Sequence, residues 1–421
     1  ATVEGLRKYL GSGLIRGIGP VNAGRIVDSF GIEALEIIDH DSGRLLEVPG
    51  IGEKRAGMIA QAWKDQKQIK EIMIFLQGHG VSTSLCVKIY RQYGDQAIEI
   101  VRANPYRLAR DIYGIGFKTA DSIARQVGLA PDDPNRIQAG ILYALSNLAD
   151  DGHCFAIHDY LIQEAAQLLE LPREQVTLQV ETLVLNQEMI KEDLAIYLPP
   201  FFQSETGTAA KFIRILKSNL DRLSQLKNTP WKLDAVRLPG IEDIQLTDQQ
   251  ASAVKTALEQ KVSILTGGPG TGKSTIIGSL VQFLVSHRYS VMLAAPTGRA
   301  AKRMSQATGI EAKTIHRLLE FSPGRTKPFL RDVTNPLDAD MVVIDETSMV
   351  DILLMNHLLS AVDNGSHLLL VGDADQLPSV GPGNVLRDLI DCNVFPVTRL
   401  NAIFRQAQDS QIIINAHRIN R

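Results

Sequence analysis

The segment Val262–Thr275, VSILTGGPGTGKST, constrains the fold of this 421-residue chain more than any other segment. A short apolar run precedes a glycine-rich turn, which leads directly into a predicted helix. Such turns present backbone N–H groups to phosphate oxygens, and the helix N-terminus adds partial positive charge. The spacing predicts a loop that holds the phosphates of a nucleoside triphosphate. The contributing residues are Gly267, Gly268, Pro269, Gly270, Thr271, Gly272, Lys273, Ser274 and Thr275.

Two carboxylates at the end of another apolar run complete the predicted nucleotide site. Lys273 supplies a full positive charge to the phosphates, and the Ser274 hydroxyl is suited to bind Mg²⁺. Asp345 and Glu346 close the run MVVIDE, where Asp345 is suited to hold Mg²⁺ through water. Glu346 is suited to position the attacking water as a general base. These side chains predict hydrolysis of the bound nucleotide.

Apolar β-branched runs alternate with helical patterns from Ile244 onward, as expected for a parallel sheet with helices on both faces. Sheets of this kind bind ligands at the carboxyl ends of their strands. We therefore expect an α/β domain over residues 231–421, with the phosphate loop and the two carboxylates at one edge. The runs are VSILT, VMLAAPT, MVVIDE and HLLLVGD.

The composition excludes a membrane protein and a disulfide-rich one. No apolar run approaches the ~18–20 residues that cross a bilayer. Cys86, Cys154 and Cys392 are far apart in the sequence, which predicts a reducing, cytoplasmic location. The net charge of −3 gives no sign of a nucleic-acid partner. Residues 1–130 nevertheless carry a small excess of basic residues, which permits phosphate binding.

Residues 1–130 contain a tandem duplication with a period of about 63 residues. Leu45–Ala60, LLEVPGIGEKRAGMIA, aligns with Ala109–Ala124, ARDIYGIGFKTADSIA. Ile18–Gly31 aligns more faintly with Val81–Gly94. Each copy is expected to hold two short helical hairpins.

Gly-Ile-Gly occupies three of the four hairpin turns, at 17–19, 50–52 and 114–116. These turns resemble helix-hairpin-helix motifs, in which glycines allow a tight turn whose N–H groups hold a DNA phosphate. The alternative is turns that only pack helices. This alternative stays open for the turn at 17–19. The turn without Gly-Ile-Gly, at Val81–Ser84, is expected to be structural. The DNA-contacting residues implied by the resemblance are Gly50, Gly52, Lys54, Gly114, Gly116 and Lys118.

Residues 131–203 give weaker signals. Helical patterns near Ile137–Ala149, Tyr160–Glu170 and Glu174–Gln187 precede the alternating stretch MIKEDLAIYLP. This order predicts a winged-helix-like connector, and its acidity favours a structural or partner-docking role over DNA reading. A long amphipathic helix is predicted over Ser204–Leu226, within a linking segment at 204–230.

The motifs of residues 246–407 occur in the order found in superfamily 1 DNA helicases, and the segment most resembles the RecD-like group. LTDQQ matches the adenine-recognising Q motif, which implies that Gln250 contacts the base. VGDADQLPSVGPG matches motif III and implies that Gln376 couples the γ-phosphate to the DNA site. LNAIFRQA resembles motif IV and implies Arg405 as a finger on the γ-phosphate, although the usual acidic residue before Ile403 is absent. APTGRAAKRM and TIHRLL match motifs that grip single-stranded DNA, which implies contacts from Thr297, Arg299, Thr314 and His316.

The same resemblance extends to the whole chain. Residues 320–339 resemble the small β-hairpin inserted in RecD-like motors near the duplex junction, with a plain surface loop as the alternative. Helix-hairpin-helix repeats before a RecA-like P-loop domain resemble the stand-alone RecD-like helicases. That implies ATP and Mg²⁺ as cofactors, 5′→3′ movement on single-stranded DNA, and a role in DNA repair or recombination. A non-motor, nucleotide-sensing DNA-binding protein and an RNA helicase of the same superfamily are the alternatives.

The chain ends at NAHRINR, soon after motif IV. Superfamily 1 motors bind ATP between two RecA-like lobes, so the resemblance implies that a C-terminal lobe is missing. Removal of an arginine finger lowers phosphoryl-transfer rates by ~10³–10⁵. We therefore expect these 421 residues alone to bind ATP–Mg²⁺ weakly, to hydrolyse it poorly and not to unwind DNA.

Overall fold

The computed structural model describes residues 3, 7, 10, 15, 17–78, 81–228, 236–238, 241–244 and 246–401. The chain forms two compact units, Ala1–Gly140 (unit 1) and Ile141–Arg421 (unit 2). In the part of the chain that is described, no helix has the length and apolar character needed to cross a bilayer. The predicted γ-phosphate finger, Arg405, lies outside the described residues.

Unit 1 repeats one arrangement of helices at the offset that relates the two sequence copies. The first helix of each copy ends at a glycine with positive φ, Gly31 (56°) or Gly94 (55°), and a 3₁₀ turn follows. The helices are α1 (Pro20–Phe30), α2 (Ala34–His40) and α3 (Glu53–Gly78) in the first copy, and α4 (Thr83–Tyr93), α5 (Ala97–Ala103), α6 (Arg107–Asp111) and α7 (Phe117–Val127) in the second.

Each copy has an apolar core, and the core of the second copy also takes in Ile72 and Leu76 from the end of α3. The central isoleucines of the three Gly-Ile-Gly turns, Ile18, Ile51 and Ile115, are all buried. In the turns at 50–52 and 114–116, by contrast, the flanking glycines are exposed. The motif therefore anchors a turn in the core by its isoleucine and leaves backbone at the surface.

A buried ion pair closes the second copy. Arg136 donates from Nε to Asp121 Oδ1 (2.8 Å), and the Tyr106 hydroxyl donates to the same oxygen (2.8 Å). Both Arg136 and Asp121 are buried. Burial by itself raises the pKa of Asp121, but the hydrogen bonds from Arg136 and Tyr106 and the nearby positive charges outweigh it, so the pKa lies below its ordinary value.

Replacing Asp121 with Ala is expected to lower the free energy of unfolding by about 3–5 kcal/mol, because the substitution leaves the Arg136 guanidinium buried and uncompensated. A lowered carboxyl pKa stabilises the fold above the unfolded-state pKa of about 3.9, and the contribution is lost as pH falls through the folded-state pKa. Urea denaturation at neutral and acidic pH measures both effects. Asp132→Ala, at an exposed position, should change little, and an equal loss in both variants would contradict the role of this pair.

Three helices and a small antiparallel sheet make up the predicted connector. The hairpin expected from the alternating stretch is present, and its second strand also pairs with a short strand that the sequence did not predict. Three residues are too few for a period-2 signal. The elements are α8 (Pro134–Asp150), β1 (Phe155–Ile157), α9 (His158–Leu169), α10 (Arg173–Leu185), β2 (Ile190–Glu192) and β3 (Ala195–Tyr197).

The linking helix differs from its prediction. Helix α11 covers Pro199–Lys217 rather than Ser204–Leu226, because prolines are favourable in the first turn of a helix. At its other end, the Lys261 ammonium donates to the carbonyl oxygens of Ser218 (2.6 Å) and Ile215 (3.3 Å), which satisfies acceptors left open where a helix stops. A 3₁₀ turn at Ser224–Asn228 follows, so the predicted single helix is two elements.

The predicted parallel sheet has six strands in the order β11-β6-β10-β9-β7-β8, and each described neighbour pair is parallel. A separate antiparallel pair, β4 (Val236–Leu238) and β5 (Ile241–Ile244), precedes it. The sheet strands are β6 (Val262–Gly267), β7 (Val291–Ala295), β8 (Ala312–Thr314), β9 (Met341–Ile344), β10 (His367–Gly372) and β11 (Val397–Leu400). The accompanying helices are α12 (Asp248–Glu259), α13 (Lys273–Ser286), α14 (Gly298–Thr308), α15 (Ile315–Leu318), α16 (Ile352–Ala361) and α17 (Val385–Asp391).

Both faces of the sheet are buried, as continuous apolar strands require. Val342 and Ile344 of β9 lie in one core, and Met341 and Val343 lie in the other. The first core also takes in Tyr197 and the α11 residues Phe212 and Ile215. The connector, the linking helix and the sheet therefore share apolar packing within unit 2. The four-part division of the sequence stays a prediction.

Residues 320–339 form a loop closed by two isolated antiparallel bridges, Phe321 with Phe329 and Asp332 with Asn335. No continuous strand is assigned among these described residues. The segment is thus intermediate between the predicted β-hairpin and a plain surface loop. The prolines at 323, 328 and 336 remove donors that a regular ladder needs.

Candidate nucleotide-binding and nucleic-acid-binding sites

Strand register brings the predicted site residues of unit 2 to one edge of the sheet. Gly372 at the end of β10 lies opposite Thr266 of β6, and Leu370 lies opposite Ile344 at the end of β9. Because all six strands are parallel, the segments that follow them emerge on the same side. The predicted residues in these segments are Gly267–Thr275, Thr297, Arg299, Thr314, His316, Asp345, Glu346 and Gln376.

The phosphate loop has the curled backbone that its glycines predict. Gly270 (φ 77°) and Gly272 (φ 87°) adopt the left-handed region, where a side chain would be strained. The Lys273 ammonium donates to the carbonyl oxygens of Gly267 and Gly268, the second at 3.0 Å. The charge is therefore held directly over the loop, where it suits a phosphate group.

Close packing fixes the base of the loop. A Cβ atom at Gly267 would lie 2.8 Å from Thr271 Oγ1 and 2.9 Å from the carbonyl oxygen of Leu400 on β11. Thr271 is buried, and its hydroxyl donates to the Gly268 carbonyl oxygen (2.8 Å). Gly267 is thus needed for space, and the buried threonine holds the loop in shape.

The two carboxylates are in an electrostatically unfavourable place. Burial raises the pKa of Asp345, against the hydrogen bond from the Glu346 N–H (2.9 Å) and the charge of Lys273. Burial also raises the pKa of Glu346, and the charges of Asp345 and Asp373 raise it further, whereas Lys273 and Arg303 oppose the shift. Buried carboxylates with too little positive charge nearby favour a bound cation. The donor set therefore fits Mg²⁺.

Glu346 also has a strained backbone. Its φ of 52° and ψ of 41° place it in the left-handed region, which is uncommon for a residue with a Cβ atom. Such conformations cost about 1–3 kcal/mol and concentrate at functional sites. Glu346 lies two residues after β9 and directly before the 3₁₀ turn Thr347–Met349, so its left-handed conformation changes the direction of the chain there.

Replacing Asp345 with Asn is expected to raise the melting temperature of the nucleotide-free chain by about 2–4 °C, the shift that roughly 1 kcal/mol produces in a unit of this size. A raised carboxyl pKa stabilises the fold only below the unfolded-state pKa, and that contribution disappears as pH rises through the folded-state pKa. The gain should therefore grow with pH. Thermal denaturation with and without Mg²⁺–nucleotide tests both points, because the variant should lose the stabilisation by ligand. Asp391→Asn, at an exposed position on α17, is the control.

Gln250 is buried near the amino end of α12. Its side-chain oxygen accepts from the Thr247 N–H (3.1 Å), while the Thr247 hydroxyl accepts from the Gln250 N–H, so the two form a capping box. The Nε2 group of Gln250 is buried and has no hydrogen-bond partner among the residues that the structure describes. An unpartnered buried donor fits an acceptor on a ligand such as a purine ring.

Gln376 joins two segments at the sheet edge. Its Nε2 atom lies 3.4 Å from Asp373 Oδ2, and the Ser348 hydroxyl lies 3.5 Å from its Oε1 atom. The Ala374 N–H donates to the Thr266 hydroxyl on β6 (3.2 Å). The segment after β10 is thereby linked to the phosphate-loop strand and to the carboxylate segment.

Two predicted DNA contacts are helix caps. The Thr297 hydroxyl accepts from the Ala300 N–H, and the Thr314 hydroxyl accepts from the Arg317 N–H, each at 3.2 Å. Each hydroxyl keeps its own hydrogen for donation. Arg299 is exposed.

His316 connects the same edge to the loop at 320–339. Its exposed ring packs edge-on against Phe321, with centroids 5.3 Å apart, and lies 5.9 Å from Phe329. The ring of Phe329 in turn packs against the His357 ring, with centroids 4.3 Å apart. The histidine is therefore positioned by aromatic neighbours.

An open groove of about 430 Å³ runs between α14 and the β8–α15 segment. Lys302, Lys313 and Arg317 contribute basic side chains to its lining, which also includes Thr314. Positive charge of this kind suits a sugar–phosphate backbone. Lys302 and Arg317 lie within the matched motifs, but no feature of the sequence distinguishes them from other basic residues there.

The hairpin turns of unit 1 have the backbone that their glycines predict. Gly50 (φ 87°) and Gly114 (φ 89°) are in the left-handed region. Gly52 and Gly116 follow at the surface, and Lys54 and Lys118 are exposed beyond them. Each turn therefore presents backbone and a lysine to solvent.

Family models match three parts of the chain. A model described as a SAM-like helix-hairpin-helix tandem matches residues 13–65. A model described as the HHH domain of the ATP-dependent RecD2 DNA helicase matches residues 65–155. A model described as an AAA domain matches residues 250–382.

A protein of Deinococcus radiodurans named ATP-dependent RecD2 DNA helicase is 32% identical over 428 residues, which cover 98% of this chain and 58% of that protein. The chain is thus similar to a RecD-like helicase over nearly its whole length. The RecBCD enzyme subunit RecD of Mycobacterium tuberculosis is 36% identical over 48% of the chain and 36% of its own length. The RecBCD enzyme subunit RecD of Mycolicibacterium smegmatis is 41% identical over 34% of the chain and 30% of its own length.

The RecD-like chain spans less than two thirds of the length of each of these relatives. Its repeats and its P-loop domain lie in the order that the sequence predicted. Sequence reasoning missed Asp373 and Arg303, whose charges act on Glu346. Both lie within quoted motifs, but only Asp373 directly follows a strand, β10, so its position was a usable signal, whereas Arg303 lies within α14.

Proposed function

We propose that this RecD-like chain acts in an ATP-dependent DNA helicase, in which ATP hydrolysis drives movement along single-stranded DNA and separation of the strands. One observation carries the proposal. The phosphate loop, the two carboxylates and the residues matched to DNA-gripping motifs all follow strands at the same edge of one sheet. A change at the nucleotide could therefore reach the nucleic acid through the hydrogen-bonded strands of the sheet that carries both sets of residues.

Lys273, Ser274 and Asp345 would hold the nucleotide. The Lys273 ammonium, already over the loop carbonyls, would turn to the phosphates, and the loop N–H groups would bind their oxygens. Bound Mg²⁺ neutralises charge that develops on the transferred phosphoryl group. Ser274 and Asp345 would hold that ion, and the Nε2 group of Gln250 would donate to the adenine ring.

Glu346 would position and deprotonate the attacking water. Its raised pKa brings the carboxyl nearer to neutral pH, which favours proton transfer by a general base. The charges of Lys273 and Arg303 oppose the rise in this pKa and so favour the ionised form, which accepts the proton. Arg405 would supply a further positive charge to the γ-phosphate.

Gln376 would couple the two sites. It contacts Asp373 and Ser348, which belong to segments after different strands. Loss of the γ-phosphate would change the charge that these segments face. The change would then shift the strand-gripping residues, which are Thr297, Arg299, Thr314 and His316 together with the basic groove of Lys302, Lys313 and Arg317.

The hairpins of unit 1 would add contacts to the DNA backbone that do not depend on base sequence. The exposed turns at 50–52 and 114–116, with Lys54 and Lys118, support this role. Movement in the 5′→3′ direction, a cytoplasmic location and a place in DNA repair or recombination are part of the same proposal. They rest on family resemblance.

Nucleic-acid-stimulated ATP hydrolysis tests the proposal. Single-stranded DNA should stimulate turnover more than single-stranded RNA of equal length, because the chain is proposed to act on DNA. Stronger stimulation by RNA would favour an RNA helicase. Nucleotide binding without any stimulated turnover, in this chain and in a version extended to the length of its relatives, would favour a nucleotide-sensing DNA-binding protein.

Replacing both Gly50 and Gly114 with Val is expected to weaken DNA binding irrespective of base sequence. A β-branched residue is strained at these positive φ values, so the turns would have to open. Fluorescence anisotropy with two unrelated DNA sequences measures the effect. Gly43→Val in the first copy, where φ is not positive and only the Asp41 carboxylate lies near, is the control. Unchanged affinity in the double variant would identify these hairpins as packing turns.

A further inference from the structure

Two hairpin turns of unit 1 hold a basic side chain at the same place. The Arg25 guanidinium donates from Nη1 to the Pro49 carbonyl oxygen at 3.3 Å. The Lys88 ammonium donates to the Tyr113 carbonyl oxygen, also at 3.3 Å. Each carbonyl belongs to the residue immediately before the first glycine of the Gly-Ile-Gly turn.

Arg25 and Lys88 are equivalent positions of the duplication. Arg25 lies on α1 and Lys88 on α4, the corresponding helices of the two copies, and both side chains are exposed. The two residues differ in shape and agree only in charge. What the two copies share at this position is therefore a cation placed over the turn.

The turn glycines leave room for these cations. A Cβ atom at Gly50 would overlap the Arg25 guanidinium, and one at Gly114 would lie 3.2 Å from Lys88 Nζ. At the first turn, a Cβ atom on Gly17 would instead meet the apolar atoms of Ile59 and Met58. As far as the described residues show, a cation beside the glycine thus distinguishes the turns at 50–52 and 114–116 from the turn at 17–19.

A single carbonyl oxygen does not satisfy either group. A guanidinium has five N–H donors and an ammonium has three, and neither Arg25 nor Lys88 forms an ion pair with a described carboxylate. Both side chains are exposed, as are the turn glycines Gly50 and Gly114. A carbonyl contact also fixes where the charge lies, so less side-chain freedom is lost when an anion binds.

We propose that Arg25 and Lys88 are DNA-phosphate ligands, one in each copy, and that each adds a positive charge beside the turn it covers. The inference rests on the proposed DNA binding by the hairpins and names residues outside the turns themselves. It also gives a physical difference between the turns at 50–52 and 114–116, which are proposed to bind DNA, and the turn at 17–19, for which both roles stay open.

The test compares the 421-residue chain with its Arg25→Gln, Lys88→Gln double variant. Affinity for a labelled blunt duplex and a labelled single strand is measured by anisotropy at several salt concentrations. Removing two phosphate contacts should reduce the slope of log affinity against log salt by about 1.8 on duplex DNA and by about 1.4 on a single strand. Affinity should fall on the order of tenfold for each charged hydrogen bond lost.

Three controls separate a phosphate contact from other causes. Lys64→Gln removes an exposed charge further along α3 and should leave the slope unchanged. Arg25→Lys with Lys88→Arg keeps both charges and should retain the slope. The melting temperature of the double glutamine variant should match the parent, since surface substitutions usually change stability by less than about 0.5 kcal/mol.

The outcomes distinguish this inference from the function on which it rests. The assignment is overturned if the double glutamine variant keeps the parent slope on both probes. It is also overturned if that variant loses no more DNA affinity than Lys64→Gln. If the Gly50→Val, Gly114→Val variant nevertheless loses DNA binding, the hairpins bind DNA without these cations. If that variant also binds like the parent, both the inference and DNA binding by the hairpins fail.

Discussion

Lys273→Ala is expected to weaken nucleotide binding by roughly 30-fold or more, the equivalent of the ~2–5 kcal/mol lost when one partner of a buried charge pair is removed. The Lys273 ammonium is the full positive charge that lies over the loop carbonyls of Gly267 and Gly268. Loop N–H groups can still bind phosphate oxygens, but their partial charges cannot replace it. Titration with a fluorescent ATP analogue and Mg²⁺ measures the loss.

Lys255→Ala is the matched control for this experiment. Lys255 is exposed on α12 of the same unit and pairs only loosely with Glu259, at 3.8 Å. DNA affinity without nucleotide should stay at the parent value in both variants. A Lys273→Ala chain that binds nucleotide within twofold of the parent would remove the loop from the nucleotide site.

Glu346→Gln is expected to slow ATP cleavage by about 10²–10⁴-fold while nucleotide binding is kept. The amide has nearly the shape of the carboxylate but cannot accept the proton of the attacking water. Binding should be equal or tighter, because the change removes a buried negative charge that is repelled by Asp345 and Asp373. A single-turnover experiment, with the chain in excess over radiolabelled ATP, follows slow cleavage directly.

Glu259→Gln makes the same chemical change at a position on α12 remote from the carboxylate pair and should leave the rate as it is. Lys273→Ala therefore tests nucleotide binding, whereas Glu346→Gln tests the chemical step. Equal cleavage rates in Glu346→Gln and the parent would assign the general base to another group. Asp373 is then the next candidate, because it is buried beside the same pair.

Local chemistry made the candidate nucleotide site recognisable in the sequence. The loop from Gly267 to Thr275 needs glycines, a lysine and a hydroxyl within nine consecutive positions, so its residues identify it without knowledge of the fold. The apolar runs predicted buried parallel strands for the same reason, because burial on both faces requires apolar residues at every position. The six-stranded sheet confirms that expectation.

Element ends were less predictable than the elements themselves. The linking helix stops at Lys217 where Lys261, remote in sequence, binds its last carbonyl oxygens. Residues 320–339 form bridges rather than strands, although their sequence resembles a hairpin insert. In the helix, a contact with a residue distant in sequence determines where the element ends. In the loop, the prolines lack the N–H donors that a regular strand pair needs.

The sequence by itself determined that this chain carries a phosphate loop, a carboxylate pair and a duplicated hairpin unit, since each is a short pattern of chemically necessary residues. Only the tertiary structure placed Asp373 and Arg303 around Glu346, left a donor of Gln250 unpartnered, and set Arg25 and Lys88 over two hairpin turns. Arg25 and Pro49 are 24 residues apart, and Lys88 and Tyr113 are 25 apart. Contacts across such separations depend on how helices pack, and helix packing is a property of the folded chain rather than of any one segment.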